Sequence, residues 1–209
     1  MIHLYAFTHA GARLPVTTGI GGGKLETCAL DGIAAVVSNV EKASGREAVV
    51  AHGLVVEALR EVVAAVLPVR FGERFADRAA LRDAVGPRVE ALRAGLAHVE
   101  GCAEFGVRMV TEQTRGGATQ AADGGTYMRT RLASLERADA VAAELHRPLA
   151  RCARATVLAS GADHAAAYLV RDEERPAFEQ AVAGFVSAHP DVTVVCTGPW
   201  APYSFAEAV

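Results

Sequence analysis

The sequence predicts an α+β protein in two modules, each built from strand–helix–strand units of ferredoxin-like type with helices on one face of a sheet. Three observations carry this. Apolar residues recur at alternate positions in some segments and at helical spacing in others, and the two patterns follow one another along the chain. A polar stretch with Gly116-Gly117 and Gly124-Gly125 has no sustained period and reads as a linker over 112–126, between a domain at 1–111 and a domain at 127–209. Of the 209 residues, 51% are hydrophobic and 22% charged, enough apolar side chain for folded cores and far from the balance of a disordered chain.

Ile2–Phe7 is apolar and strand-like, and Thr8 to Gly23 is a loop rich in breakers: Gly11, Pro15, Gly19, Gly21, Gly22 and Gly23. Lys24–Leu30 and Ile33–Val37 flank Asp31-Gly32, the signature of a two-residue hairpin turn. From Arg46 the period lengthens. Val50, Leu54, Val55, Leu59, Val62, Val63 and Val66 predict a helix with these residues inward, ending at Pro68. Val69–Gly72 is a short strand-like piece. A second helix, capped by Asp77, puts Leu81, Val85, Val89, Leu92, Leu96 and Val99 on one face, with Gly86-Pro87 as a kink and Gly101 as its end. Cys102–Val110 returns to strand alternation.

Beyond the linker, Met128, Leu132, Leu135, Val141, Leu145, Leu149 and Cys152 form the stripe of a long helix. Ala155–Ser160 and Ala165–Val170 are strands around a turn at Gly161-Ala162-Asp163. A helix from Asp172, with Pro176 in its first turn, directs Phe178, Val182, Phe185 and Val186 inward. Val192–Thr197 is the last strand, ending at Gly198-Pro199. The closing segment holds Trp200, Pro202, Tyr203 and Phe205 without one charge. Its prolines disfavour regular helix, so it reads as an extended arm whose aromatics anchor the chain end over the second module.

Function classes narrow quickly. A net charge of −3 argues against a nucleic-acid binder with a general basic surface. The N-terminus lacks the basic and apolar regions of a secretory signal, and the run Val62–Leu67 stops at Pro68, far short of the ~20 residues that span a bilayer. Cys28, Cys102, Cys152 and Cys196 are widely spaced, which in a cytoplasmic chain suggests buried reduced thiols. The glycine loop fits no nucleotide motif. Thr18 stands where a P-loop needs its first glycine, Leu25 where it needs Ser or Thr, and Lys24 where a GxGxxG needs its last. The seven histidines form no metal-binding spacing, with His98 and His146 reading as solvated positions late in helices. Glu173-Glu174 suits a helix start, and Arg129, Arg131, Arg137, Arg147 and Arg151 a solvated face. Catalytic, cofactor and metal sites are therefore assigned to no residue.

Several segments taken together resemble the gas vesicle protein F and L family. They are Gly32–Ser38, Val66-Leu67-Pro68-Val69-Arg70-Phe71-Gly72 with Phe75-Ala76-Asp77, Glu104–Arg108, Ala167–Val170 and Gly198-Pro199-Trp200-Ala201-Pro202-Tyr203-Ser204-Phe205. The resemblance implies two α/β modules, the first a modified ferredoxin-like domain and the second an α+β domain with a long helix and a small antiparallel sheet. It implies a non-catalytic accessory or minor structural protein of gas vesicles, without an obligatory cofactor. These are gas-filled shells built mainly from a small, very apolar subunit. The expected partners are that major shell protein and other accessory proteins, met by a sheet edge or an apolar helix face, with no nucleic acid and no membrane. The competing reading is a small-molecule-binding regulatory protein or enzyme on ferredoxin-like modules, which predicts a polar pocket with convergent titratable groups. Residues carried by the motifs are Arg70, Phe71, Gly72, Gly198, Pro199, Trp200, Pro202, Tyr203 and Phe205, in structural or interaction roles.

Overall fold

A near-continuous apolar run places seven buried residues in a row in the first strand, β1 (Ile2–His9), so both of its faces are covered. The computed structural model describes residues 1–41, 44–110, 124–159 and 164–206. It divides into two compact units, Met1–Ala103 with Trp200–Val209, and Glu104–Pro199. The units therefore part at Ala103/Glu104 rather than at the glycine-rich stretch. Of that stretch, residues 112–123 lie outside the described residues, and Gly124 onward is helix.

In the first unit, β2 (Leu25–Leu30) and β3 (Ile33–Asn39) form the expected antiparallel hairpin, with Leu30 opposite Ile33. Its two turn residues, Asp31 (φ 40°) and Gly32 (φ 82°), take the left-handed conformation that such turns demand. β1 pairs with β3 on one side and with two short strands, β4 (Leu67–Pro68) and β5 (Arg74–Phe75), on the other. Helix α1 (Arg46–Val62) ends six residues before the expected stop at Pro68. Pro68 disfavours helical geometry at Leu67, and Ala65, Val66 and Leu67 are buried in the extended segment that follows. The buried face of α1 also differs from expectation. Ala48, His52, Val55, Val56 and Leu59 point inward, while Val50, Leu54 and Val62 are exposed. α2 (Arg78–Val85) and α3 (Val89–Val99) carry the predicted stripe, all six residues buried, joined by a 3₁₀ turn over Gly86–Arg88. Asp77 Oδ1 accepts from the N–H groups of Ala79 and Ala80, both at 2.9 Å, capping the first of them.

The second unit holds a four-stranded sheet in the order β7-β8-β6-β9: β6 (Cys102–Val110, which enters from the first unit), β7 (Ala155–Leu158), β8 (Ala165–Arg171) and β9 (Thr193–Trp200). The long helix α4 (Gly124–Arg151) packs through Ala142, Leu145 and Leu149, and α5 (Arg175–Ala188) through Phe178 and Phe185. Phe178 lies 5.2 Å from the Phe105 ring and 5.3 Å from Tyr168, centroid to centroid. Met128, Leu132 and Val186, expected inside, are exposed, and the turn expected at 161–163 lies outside the described residues. A mixed α+β fold with two antiparallel sheets follows, as the sequence predicts.

Candidate functional site

The motif residues do not gather at one solvent-facing site. They fall into two places. Phe71 and Tyr203 both pack against one core cluster of the first unit, which includes Tyr5, Val36, Val55, Leu59 and Ala201. Between β4 and β5 the chain turns through Arg70-Phe71-Gly72, and Val69 N–H donates to Tyr5 O at 2.9 Å. Gly72 sits at φ 116°, where a side chain would be strained. The expected extended strand at Val69–Gly72 is thus a turn.

The closing segment behaves differently from the arm the prolines suggest. β9 continues through a cis Gly198-Pro199 bond to Trp200, and Tyr203–Ala206 forms a single helical turn, α6. A proline just before a helix is compatible with it, because its φ is already near the helical value and its missing N–H would have no partner there. Ala201 and Pro202 are buried, Phe205 is 7% exposed and Trp200 48% exposed. Ala201 N–H donates to Glu57 Oε1 at 3.0 Å. Burial, with the Glu57 charge nearby, pushes the Tyr203 phenol up to about 12. The anchor is real, but it closes the first unit and not the second, and Trp200 is its least buried aromatic.

Beneath Phe71 lies a polar network with no counterpart in the sequence reading. His3 and His52 are buried, and their rings meet edge to face at 5.1 Å. His52 Nε2 donates to Val69 O at 2.8 Å, since a carbonyl can only accept. In the neutral ring Nδ1 is then the acceptor, so His3 Nε2–H donates to it at 2.9 Å. His3 Nδ1 is left without a hydrogen-bond partner among the described residues. Burial, then the neighbouring His52 and Arg74, lowers the His3 pKa to about 4, and burial lowers that of His52 as well. Both rings are neutral in the folded protein at pH 7. Beside them Tyr5 Oη bonds Ser38 Oγ at 2.7 Å and accepts from Ile20 N–H at 2.8 Å, which fixes the glycine loop to the sheet. The Phe71 ring covers His3 at 5.6 Å and His52 at 5.9 Å. The arrangement clamps a turn to β1 and α1. It presents no base to solvent.

In the second unit His146 is half-buried, not solvated: Nδ1 meets the Tyr168 hydroxyl and Nε2 donates to His164 O at 3.2 Å. Burial lowers the His146 pKa and raises that of Tyr168, so both stay neutral near pH 7. All four cysteines are free thiols, but only Cys28 is buried, and Cys196 is exposed on β9. The five arginines of α4 are exposed, as a solvated face requires. Among the described residues no three His, Cys, Asp or Glu side chains are placed to hold a metal, and no helix is long and apolar enough to cross a membrane.

Residues 1–207 match the family described as gas vesicle synthesis protein GvpL/GvpF. The chain belongs to that family. It is 28% identical over 214 residues to gas vesicle protein F2 of Halobacterium salinarum, covering 98% of this chain and 92% of that protein. Gas vesicle protein L of a Streptomyces species is 32% identical over 182 residues, covering 75% of this chain and 67% of its own length. Two solved structures share the fold of this GvpL/GvpF chain. GvpF from an Anabaena species superposes with a TM-score of 0.81 at 18% identity, covering 98% of this chain and 95% of the other. GvpF from Microcystis aeruginosa superposes with a TM-score of 0.79 at 20% identity, covering 98% of both.

Proposed function

We propose that this GvpL/GvpF chain is a non-catalytic accessory protein that binds the major gas vesicle shell protein, and other accessory proteins, while vesicles nucleate or grow in the cytoplasm. The observation that carries this reading is the family match over residues 1–207, taken with relatives that are themselves gas vesicle proteins. The chemistry of the buried groups supports it. His3, His52, His146 and Tyr168 commit ring nitrogens and a hydroxyl to internal hydrogen bonds, whereas a catalytic acid or base needs reach to a substrate. A shell subunit with an apolar face also needs cover before assembly, since exposed apolar patches aggregate.

In this reading Phe71, Gly72, Pro202, Tyr203 and Phe205 are fasteners of the first unit, with Arg70 on the same turn. Gly198 and Pro199 shape β9, and Trp200 is the exposed member. The test is twofold. Purified chain should retain the shell protein in a pull-down, and deletion of its gene should abolish buoyant vesicles. No association together with normal vesicle formation would end this reading.

A further inference from the structure

Two outer strands, β2 of the first sheet and β9 of the second, are guarded differently. Along β2, an outer strand of the first sheet, Arg78 Nη1 donates to Thr27 O at 3.4 Å and the same guanidinium pairs with Glu26. A charged side chain over an unpaired edge blocks another strand from adding there. β9, outermost in the second sheet, has no such guard among the described residues. Its eight residues carry no charge, and the sequence from Val192 to Ala206 contains no Asp, Glu, Lys or Arg. Thr193, Cys196 and Thr197 are exposed, and Val195 is 39% exposed.

The strand is also held firmly from within. A Cβ on Gly198 would stand 2.6 Å from Glu104 O, and one on Gly106 would stand 2.9 Å from Thr197 Oγ1. Glycine at these two positions lets β9 lie close against β6, so the outer row of backbone groups is presented on a fixed strand. Pro199 has no N–H and ends the usable ladder, which leaves Thr193–Gly198.

We infer that the outer edge of β9 takes an added strand from the gas vesicle shell subunit. The proposal rests on the shell-binding reading above and names its site and mode. The incoming segment is extended, because only an extended chain matches the spacing of the ladder. It is uncharged and rich in β-branched or small side chains. A carboxylate or ammonium beside Val195 would lose hydration and find no counter-charge on β9.

The test uses the full chain co-expressed with a gas vesicle shell protein and recovered by affinity capture. Val195→Lys and Thr193→Lys place a charge on the edge at solvent-facing positions. Leu54→Lys on α1 and Leu132→Lys on α4 do the same on exposed helix faces, and circular dichroism confirms the fold of each variant. Edge variants should lower capture by about tenfold, the effect of enclosing one unpaired charge, and the helix variants should leave it unchanged. If either edge variant folds and captures like wild type, or if a helix variant alone abolishes capture, the edge is not the site although shell binding stands. If wild type captures nothing, the shell-binding reading falls and this inference falls with it. Sedimentation of the chain alone adds a last arm: a concentration-dependent dimer lost in Val195→Lys would assign the edge to a second copy and overturn the shell assignment.

Discussion

Acidification should loosen the first unit through His3. In the unfolded chain this imidazole titrates near its ordinary value of 6.5, while in the fold burial holds it at about 4. Between these values the unfolded chain binds a proton that the folded chain refuses, so stability rises with pH across the window and is lost as pH falls through it. The full difference corresponds to about 3 kcal/mol, and at about pH 5 the loss relative to neutral pH is about 2 kcal/mol from His3 alone. No discount for solvent applies, because His3 is 0% exposed. His52, also lowered by burial, acts in the same direction. Replacing His3→Gln keeps an N–H donor toward His52 but removes the titration. Urea unfolding at about pH 7.5 and about pH 5 should therefore show a fall in wild type larger by about 2 kcal/mol than in the variant, with equal denaturant slopes. Equal falls in both proteins would show that His3 is not held neutral by the fold.

Two further outcomes follow from the closing segment. Phe205→Ala, at a buried position, should cost about 3–5 kcal/mol in chemical unfolding, and Trp200→Ala, at a position 48% exposed, only about 1 kcal/mol; the reverse order would misplace the anchor. Gly198→Ala should cost more than about 3 kcal/mol, since φ is 123° and the new Cβ would press on Glu104 O; a thermal midpoint within a degree of wild type would refute the close approach of β9 to β6.

The parts of the fold legible in the sequence are those where one local rule acts alone. The buried stripe of α2 and α3 is readable to the residue, because six apolar positions repeat at helical spacing behind an Asp cap and a Gly-Pro interruption. The Asp31-Gly32 hairpin is similar. α1 is legible as a helix but not in its orientation. It carries more apolar residues than one face holds, and the inward side is decided by His52, whose partner His3 lies 49 residues away in sequence. A histidine in register with Ala48, Val55, Val56 and Leu59, and another inside an all-apolar strand, were the available signals for that pair. The stretch beginning at Trp200 misleads for a related reason. Proline restricts the local backbone, yet which core receives the aromatics depends on Glu57, far away in the chain, which accepts from Ala201 N–H. The motif residues were legible by identity, while their separation into a core clamp and a sheet edge is a matter of tertiary position.

Because Ala201 lies in the core of the first unit, that unit is discontinuous in time as well as in sequence. A ribosome that has released β1 through α3 has delivered its sheet and helices, but Glu57 still lacks its backbone donor and the cluster around Tyr5 lacks its closing residues. The segment 104–199 must be synthesised first. The first unit thus completes itself only after residue 201 and α6 have emerged, which couples its maturation to the synthesis of the second unit.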